Sequence, residues 1–128
     1  MAKIENLDQV RAINAFNACK NDCFRGKDGG EVVKKLPPMI RENGVLGALA
    51  FALNKKDRNA IGYAGAFTAI TEHLKCLEKV KANNVEDLQT ELLGCPSIKL
   101  RDVTAETMLY LNYLRRFAQK KEKKDNQQ

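Results

Sequence analysis

The chain of 128 residues has no tryptophan, a single histidine and three prolines, and aromatics make up only 6% of it. Each shortage excludes something. With His73 as the lone imidazole, no Ser-His-Asp ordering is supported, and the carboxylates occur singly or opposite lysines, without a pair set apart for acid and base roles. The scarce aromatics are not interleaved with the basic residues, so the usual base-stacking platform and the ribonucleoprotein signature are missing. No Gly-rich loop lies between a strand and a helix. GKDGG (Gly26–Gly30) reads as a turn and GVLG (Gly44–Gly47) as no dinucleotide fingerprint. No apolar run reaches the roughly 18 residues of a membrane span, and MAKIENLDQV carries no apolar core of signal length. Neither a membrane partner nor a targeting signal is expected. No segment alternates with period two long enough to be a strand, and no solenoid repeat is present. There is no sign of an enzyme, and no cofactor is expected.

Alanine, leucine and lysine are abundant instead, a balance that favours helices. Leu7 to about Phe24 reads as helix, with Leu7, Val10, Ile13 and Phe16 at intervals of three and Ala12, Phe16, Cys19 and Cys23 on one broad face. RGKDGG (Arg25–Gly30) breaks it. From Glu31, Val32, Val33, Leu36 and Ile40 form the next apolar stripe. Pro37 and Pro38 then leave two readings, a helix ending at Leu36 with a new one begun by the prolines, or one kinked helix. Asn43–Gly44 supplies a left-handed C-cap. Gly44–Leu53 is apolar nearly all round and is expected at the buried centre.

A fourth helix from about Ala60 to Lys81 has the strongest period, Tyr63, Phe67, Ile70, Leu74 and Leu77. A short amphipathic helix follows through Val85, Leu88 and Leu92, closed by Gly94 and Pro96. The last helix is expected after Thr104 as N-cap, with Glu106 in its first turn. Met108, Leu111, Leu114 and Ala118 lie on one side, with Tyr110 and Phe117 nearby. Asn112, Arg115, Arg116, Gln119, Lys120 and Lys123 lie on the other. The expected fold is all-α, a single compact domain of five or six helices forming a bundle over residues 1–120, with a basic polar tail at 121–128 that frays.

The net charge of +6 is unevenly spread. Residues 34–71 carry six basic against two acidic side chains, residues 72–106 five against seven, and residues 107–128 six against two. The candidate phosphate-binding residues are Lys34, Lys35, Arg41, Lys55, Lys56 and Arg58 around the proline break, and Arg115 and Arg116 on the polar face of the last helix. If the chain doubles back at the break, the two lysine pairs flank one groove and track a phosphate backbone independently of sequence. Ordinary solvated positions are the plain alternative for any one of these lysines.

Four cysteines without secretory context read as reduced thiols, in keeping with a cytoplasmic protein. Cys19 and Cys23 at i, i+4 and His73 and Cys76 at i, i+3 offer four zinc-capable groups if their helices pair. The spacings lack the CxxC frame, so filling of core by cysteine is the favoured reading, and no metal site is assigned. Cys95, before Pro96, has no partner pattern.

Two blocks carry a resemblance. VVKKLPPMIRENGVLGALAFALNKK (Val32–Lys56) resembles the signature of the small subunit of the type III-B CRISPR effector, the Cmr complex. That signature runs Lys-Leu-Pro-x-hydrophobic-Ile, Asn-Gly-Leu, then Ala-Leu-Ala-Phe-Leu. Here Val45 and then Leu46 follow Asn43–Gly44. ETMLYLNYLRRFAQ (Glu106–Gln119) resembles the family's closing helix, with its Leu-Tyr-Leu-x-x-Leu-[Lys/Arg]-Arg-Phe-Ala. Residues 57–105 carry no family motif. The resemblance implies a small all-α, non-catalytic subunit of antiviral defence. Its copies stack head-to-tail beside the backbone subunits of the effector, and its basic side chains approach the guide RNA and the single-stranded target RNA. It also implies that Leu36, Pro37, Ile40 and Phe51 are structural rather than RNA contacts. The equivalent type III-A subunit, or a free-standing helical adaptor, remains open as an alternative.

Overall fold

The computed structural model describes residues 6–20, 31–54, 60 and 62–126, with side chains described as far as Ala118. Five helices follow one another: α1 (Leu7–Cys19), α2 (Glu31–Ala52), α3 (Tyr63–Cys76), α4 (Val85–Leu93) and α5 (Ser97–Asn126). They form a single all-α domain. Helix α5 is the common support, against which α1, α2 and α3 all pack, while α4 closes the far side against α2 and α3.

Local chemistry explains most helix ends. Asn6 and Gln9 form a reciprocal capping box at the start of α1. The Asn84 side chain accepts from the Asp87 amide to start α4, and Gly94 ends it. Helix α3 is shorter than the period suggests. It stops at Cys76 because Glu78 adopts a left-handed conformation (φ 61°), letting the Lys79 amide reach the Leu74 carbonyl and the Glu78 amide reach that of Lys75. A glutamate at that position gives no local signal of a stop.

Helix α2 runs through Pro37 and Pro38 and breaks later, at Gly44. The prolines remove two ladder hydrogen bonds without ending the helix, so of the two readings the one with a stop at Leu36 is not realised. Gly44 has φ 77° and ψ 164°, a combination open essentially to glycine alone. Before the break α2 buries Val32, Val33, Leu36, Pro37 and Ile40, and after it Val45, Ala48, Leu49 and Ala52. Phe51 is half-buried, edge-on to Tyr63 with ring centroids 5.1 Å apart. The apolar sides of α3 (Phe67, Ile70, Leu74), α4 (Leu88, Leu92) and α5 (Val103, Leu111, Leu114) complete the core. Lys34, Pro38 and Arg41, at i, i+4 and i+7, fall on the outer face of α2.

Two expectations are corrected. Helix α5 begins at Ser97, directly after Pro96, so Thr104 is interior and its hydroxyl donates to the Leu100 carbonyl at 2.7 Å. The Pro96 carbonyl already accepts the Leu100 amide, one full turn into the helix. Helix α1 is also rotated from its apolar pattern. Leu7, Ile13 and Phe16 are 45%, 45% and 53% exposed, while Arg11 is buried with Ala15 and Cys19. The partner that draws Arg11 inward is on α5.

Candidate nucleic-acid interface

Val103, Glu106, Tyr110 and Leu114 share one buried stripe of α5 at i, i+3, i+7 and i+11. That places the Glu106 carboxylate inside the bundle, where it needs donors. Arg11 of α1 supplies two, Nε to Oε2 and Nη2 to Oε1, each at 2.8 Å. His73 of α3 supplies the third through Nε2, 2.8 Å from Oε2. The other imidazole nitrogen, Nδ1, lies 2.9 Å from the Asn14 amide nitrogen. The ring stacks on Tyr110 with centroids 4.2 Å apart. Arg11 donates once more, to Asp8 at 2.8 Å.

Charge follows from these contacts. Burial favours the neutral imidazole and holds the His73 pKa below its ordinary value, although Glu106 pulls the other way. A neutral ring facing a carboxylate must donate from Nε2, which leaves Nδ1 to accept from Asn14. Burial alone would raise the Glu106 pKa, but hydrogen bonds and charge from Arg11 and His73 outweigh it and the carboxyl stays ionised. Glu106 in turn raises the Arg11 pKa. The cluster is a structural bolt joining α1, α3 and α5. A cavity of about 210 Å³ lies beside it, lined by Asn14, Asn17, Ala18, Ala69, Glu72, His73 and Tyr110.

Among the described residues the zinc-capable side chains are not grouped together. Both His73 nitrogens are engaged, Cys19 is buried with its thiol 3.8 Å from the Leu114 carbonyl, and Cys76 is exposed. Cys23 lies outside the described residues. Among the described residues no three His, Cys, Asp or Glu side chains are grouped to hold a metal.

Of the candidate RNA-binding residues, Lys55, Lys56 and Arg58 lie outside the described residues. Lys34, Lys35 and Arg41 are exposed on the outer face of α2. Arg116 is exposed and Arg115 half-buried on α5. Lys34, Arg41, Arg115 and Arg116 have no ion-pair partner among the described residues. Two lysines of the acidic middle segment differ: Lys79 pairs with Asp102 at 2.9 Å and Lys99 with Glu91 at 2.8 Å. Arg115 and Arg116 border a cleft of about 350 Å³ with Asp8, Leu109, Asn112 and Tyr113. A second, apolar cleft of about 520 Å³ opens at the α2 break, between Asn43–Leu46 and the Leu100–Ala105 stretch of α5, with Arg101 beside it.

Sequence reasoning missed Arg11, Asn14 and Glu106 as a unit. The signal was an arginine four residues from Ala15 and eight from Cys19, and a glutamate on the apolar stripe of another helix. It also missed Tyr113, which stands beside the two arginines.

These features define a small all-α protein held together by a buried polar bolt, with two basic faces. The chain belongs to the CRISPR-associated Cmr5 family, whose model matches residues 7–121. It is thus the small subunit of a type III-B (Cmr) CRISPR effector, and it associates with other subunits of that effector. The fold is similar to the X-ray crystal structure of a CRISPR-associated Cmr5 family protein from Thermus thermophilus, with a TM-score of 0.68 and 21% identity, over 90% of this chain and 96% of that one. No match was found among curated proteins. Among the described residues no helix is long and apolar enough to cross a membrane.

Proposed function

We propose that this chain is a non-catalytic, RNA-binding subunit of the effector in antiviral defence, in the cytoplasm. Its copies stack head-to-tail beside the backbone subunits, and its basic side chains contact the RNA backbone within the complex. Guide pairing, not this chain, reads the target sequence. The observation that carries the reading is the set of cations without ion-pair partners among the described residues, Lys34, Arg41, Arg115 and Arg116, on two faces of a family member whose Lys79 and Lys99 are paired. Lys35 is exposed on the same helix, and Lys55, Lys56 and Arg58 follow it in the basic segment of the sequence. Side chains of this kind bind phosphates without regard to sequence and release counterions as they do so. The exposed apolar edge of α1 (Leu7, Ile13, Phe16) and the cleft at Gly44 are surfaces suited to neighbouring subunits.

The test is purification of the tagged chain from its host, with identification of the proteins and RNA that come with it, followed by target-RNA binding across salt. Guide RNA and the backbone subunits are expected, and Lys34→Glu combined with Arg41→Glu should weaken target binding and flatten its salt dependence. Recovery of unrelated proteins without guide RNA would replace this reading with that of a helical adaptor.

A further inference from the structure

We propose that the cleft between the start of α1 and the C-terminal half of α5 seats one nucleotide of single-stranded RNA, with the Tyr113 ring as its stacking surface and Arg116 as its phosphate ligand. The proposal rests on the RNA-binding reading above and adds base stacking to what is otherwise a purely electrostatic surface.

Leu109, Asn112, Tyr113 and Arg116 stand at i, i+3, i+4 and i+7, which aligns them on one face of α5. They line the cleft of about 350 Å³ together with Arg115 and Asp8. Tyr113 is half-buried against the core, and its hydroxyl has no partner among the described residues. The other two tyrosines, Tyr63 and Tyr110, are buried. Leu109, 44% exposed, adds apolar wall beside the ring.

The charges in the cleft are unequal. Arg115 and Arg116 have no acidic partner among the described residues. The carboxylate of Asp8 is already held by Arg11 Nη1 at 2.8 Å. The cleft therefore presents uncompensated positive charge next to a rigid aromatic face. Its complement is a ligand with an anion at one end and a flat, weakly polar body at the other. A nucleotide has both, and every base offers a π-face, so such a seat tolerates any sequence. Asn112 carries both a donor and an acceptor and can meet any base edge. An acidic peptide would satisfy the arginines but leave Tyr113 and Leu109 without a flat partner.

The absence of tryptophan makes the test direct, because tyrosine emission is unmasked and Tyr113 is the one tyrosine of the three that is not buried. Full-length chain is titrated with a fluorescein-labelled oligouridine of about twelve nucleotides, and anisotropy is read at several salt concentrations. Tyr113→Leu, which keeps apolar volume, should weaken binding about 5- to 100-fold with the salt slope unchanged. Tyr113→Phe should stay within about threefold of the parent. Arg116→Gln should lower the slope by about 0.7. Oligouridine should quench tyrosine emission of the parent but not of Tyr113→Leu, and a 5-iodouridine probe should crosslink at Tyr113. Circular dichroism melts confirm that each variant is folded.

If the parent binds but Tyr113→Leu binds equally well, or the crosslink falls elsewhere, the nucleotide seat is overturned and the RNA-binding reading stands. If the parent binds no oligouridine, both fall. Binding of a polyglutamate peptide instead would then assign the cleft to an acidic protein segment.

Discussion

Helices α1 and α2 enter the bundle by different means. Helix α2 buries Val32, Val33, Leu36, Ile40, Val45, Ala48, Leu49 and Ala52, a continuous apolar face that its break at Gly44 merely redirects. Helix α1 buries only Arg11, Ala15 and Cys19, leaves its larger apolar side chains half-exposed, and is secured by Arg11 on Glu106. Apolar burial is non-directional and scales with area. A bidentate arginine–carboxylate pair stabilises little beyond its own desolvation, but it tolerates one geometry. So α2 supplies bulk stability, and the bolt sets how α1 is rotated. That rotation matters outside the core, because it turns Leu7, Ile13 and Phe16 outward and brings Asp8 to the rim of the Tyr113 cleft.

The contrast can be broken at its polar side first. Glu106→Gln removes the buried counter-charge of Arg11, leaving only the exposed Asp8, and should cost about 3–5 kcal/mol. Hydrogen exchange should then rise in α1 well before α3 and α4. Uniform acceleration across the chain would show that α1 is no separate unit. Leu49→Ala tests the apolar side. The loss is about 2–5 kcal/mol, from transfer and cavity together, and exchange should accelerate globally without singling out α1.

Acid sharpens the comparison further, with a smaller effect. The folded His73 pKa lies below its unfolded value of about 6.5, so the unfolded chain takes up the proton first as pH falls. The neutral ring's stabilisation is therefore complete above about pH 6.5 and is lost progressively below it, towards the folded value. Glu106, also held low, adds a second loss below about pH 4.5. Since His73 is the one histidine in the chain, urea midpoints between pH 7 and 5 should fall for the parent and stay nearly level for His73→Asn. A level parent profile would place the ring outside the bolt's energetics. The smallest effect is expected away from both regions. Glu78→Gly relieves the left-handed strain after α3 and should raise stability by about 0.5–1 kcal/mol in a thermal melt.

Much of the fold was legible. The periods through Tyr63–Leu74 and Val85–Leu92, the glycine break at Gly44 and the polar stripe holding Arg116 are all local patterns, and local spacing decides which side of a helix is apolar. The end of α3 and the start of α5 were not, because a glutamate in a left-handed conformation and a proline just before a helix give weak or ambiguous signs. The orientation of α1 was misread for a different reason. Its apolar residues mark a face, but Arg11 could outweigh them only if a buried acid stood opposite. The candidate site was legible in part. Arg115 and Arg116 were visible as cations on a polar face, whereas Tyr113 was counted with neither the core nor the surface.

By itself the sequence determined that this chain is helical, where most helices lie, which faces are apolar and where positive charge collects, since each depends on residues within a few turns of one another. Only the tertiary structure decided that Arg11, Glu106 and His73 would meet. Glu106 stands 95 residues from Arg11 and 33 from His73 along the chain. A buried charge is unfavourable until its partners arrive, so that choice exists only once three helices have packed.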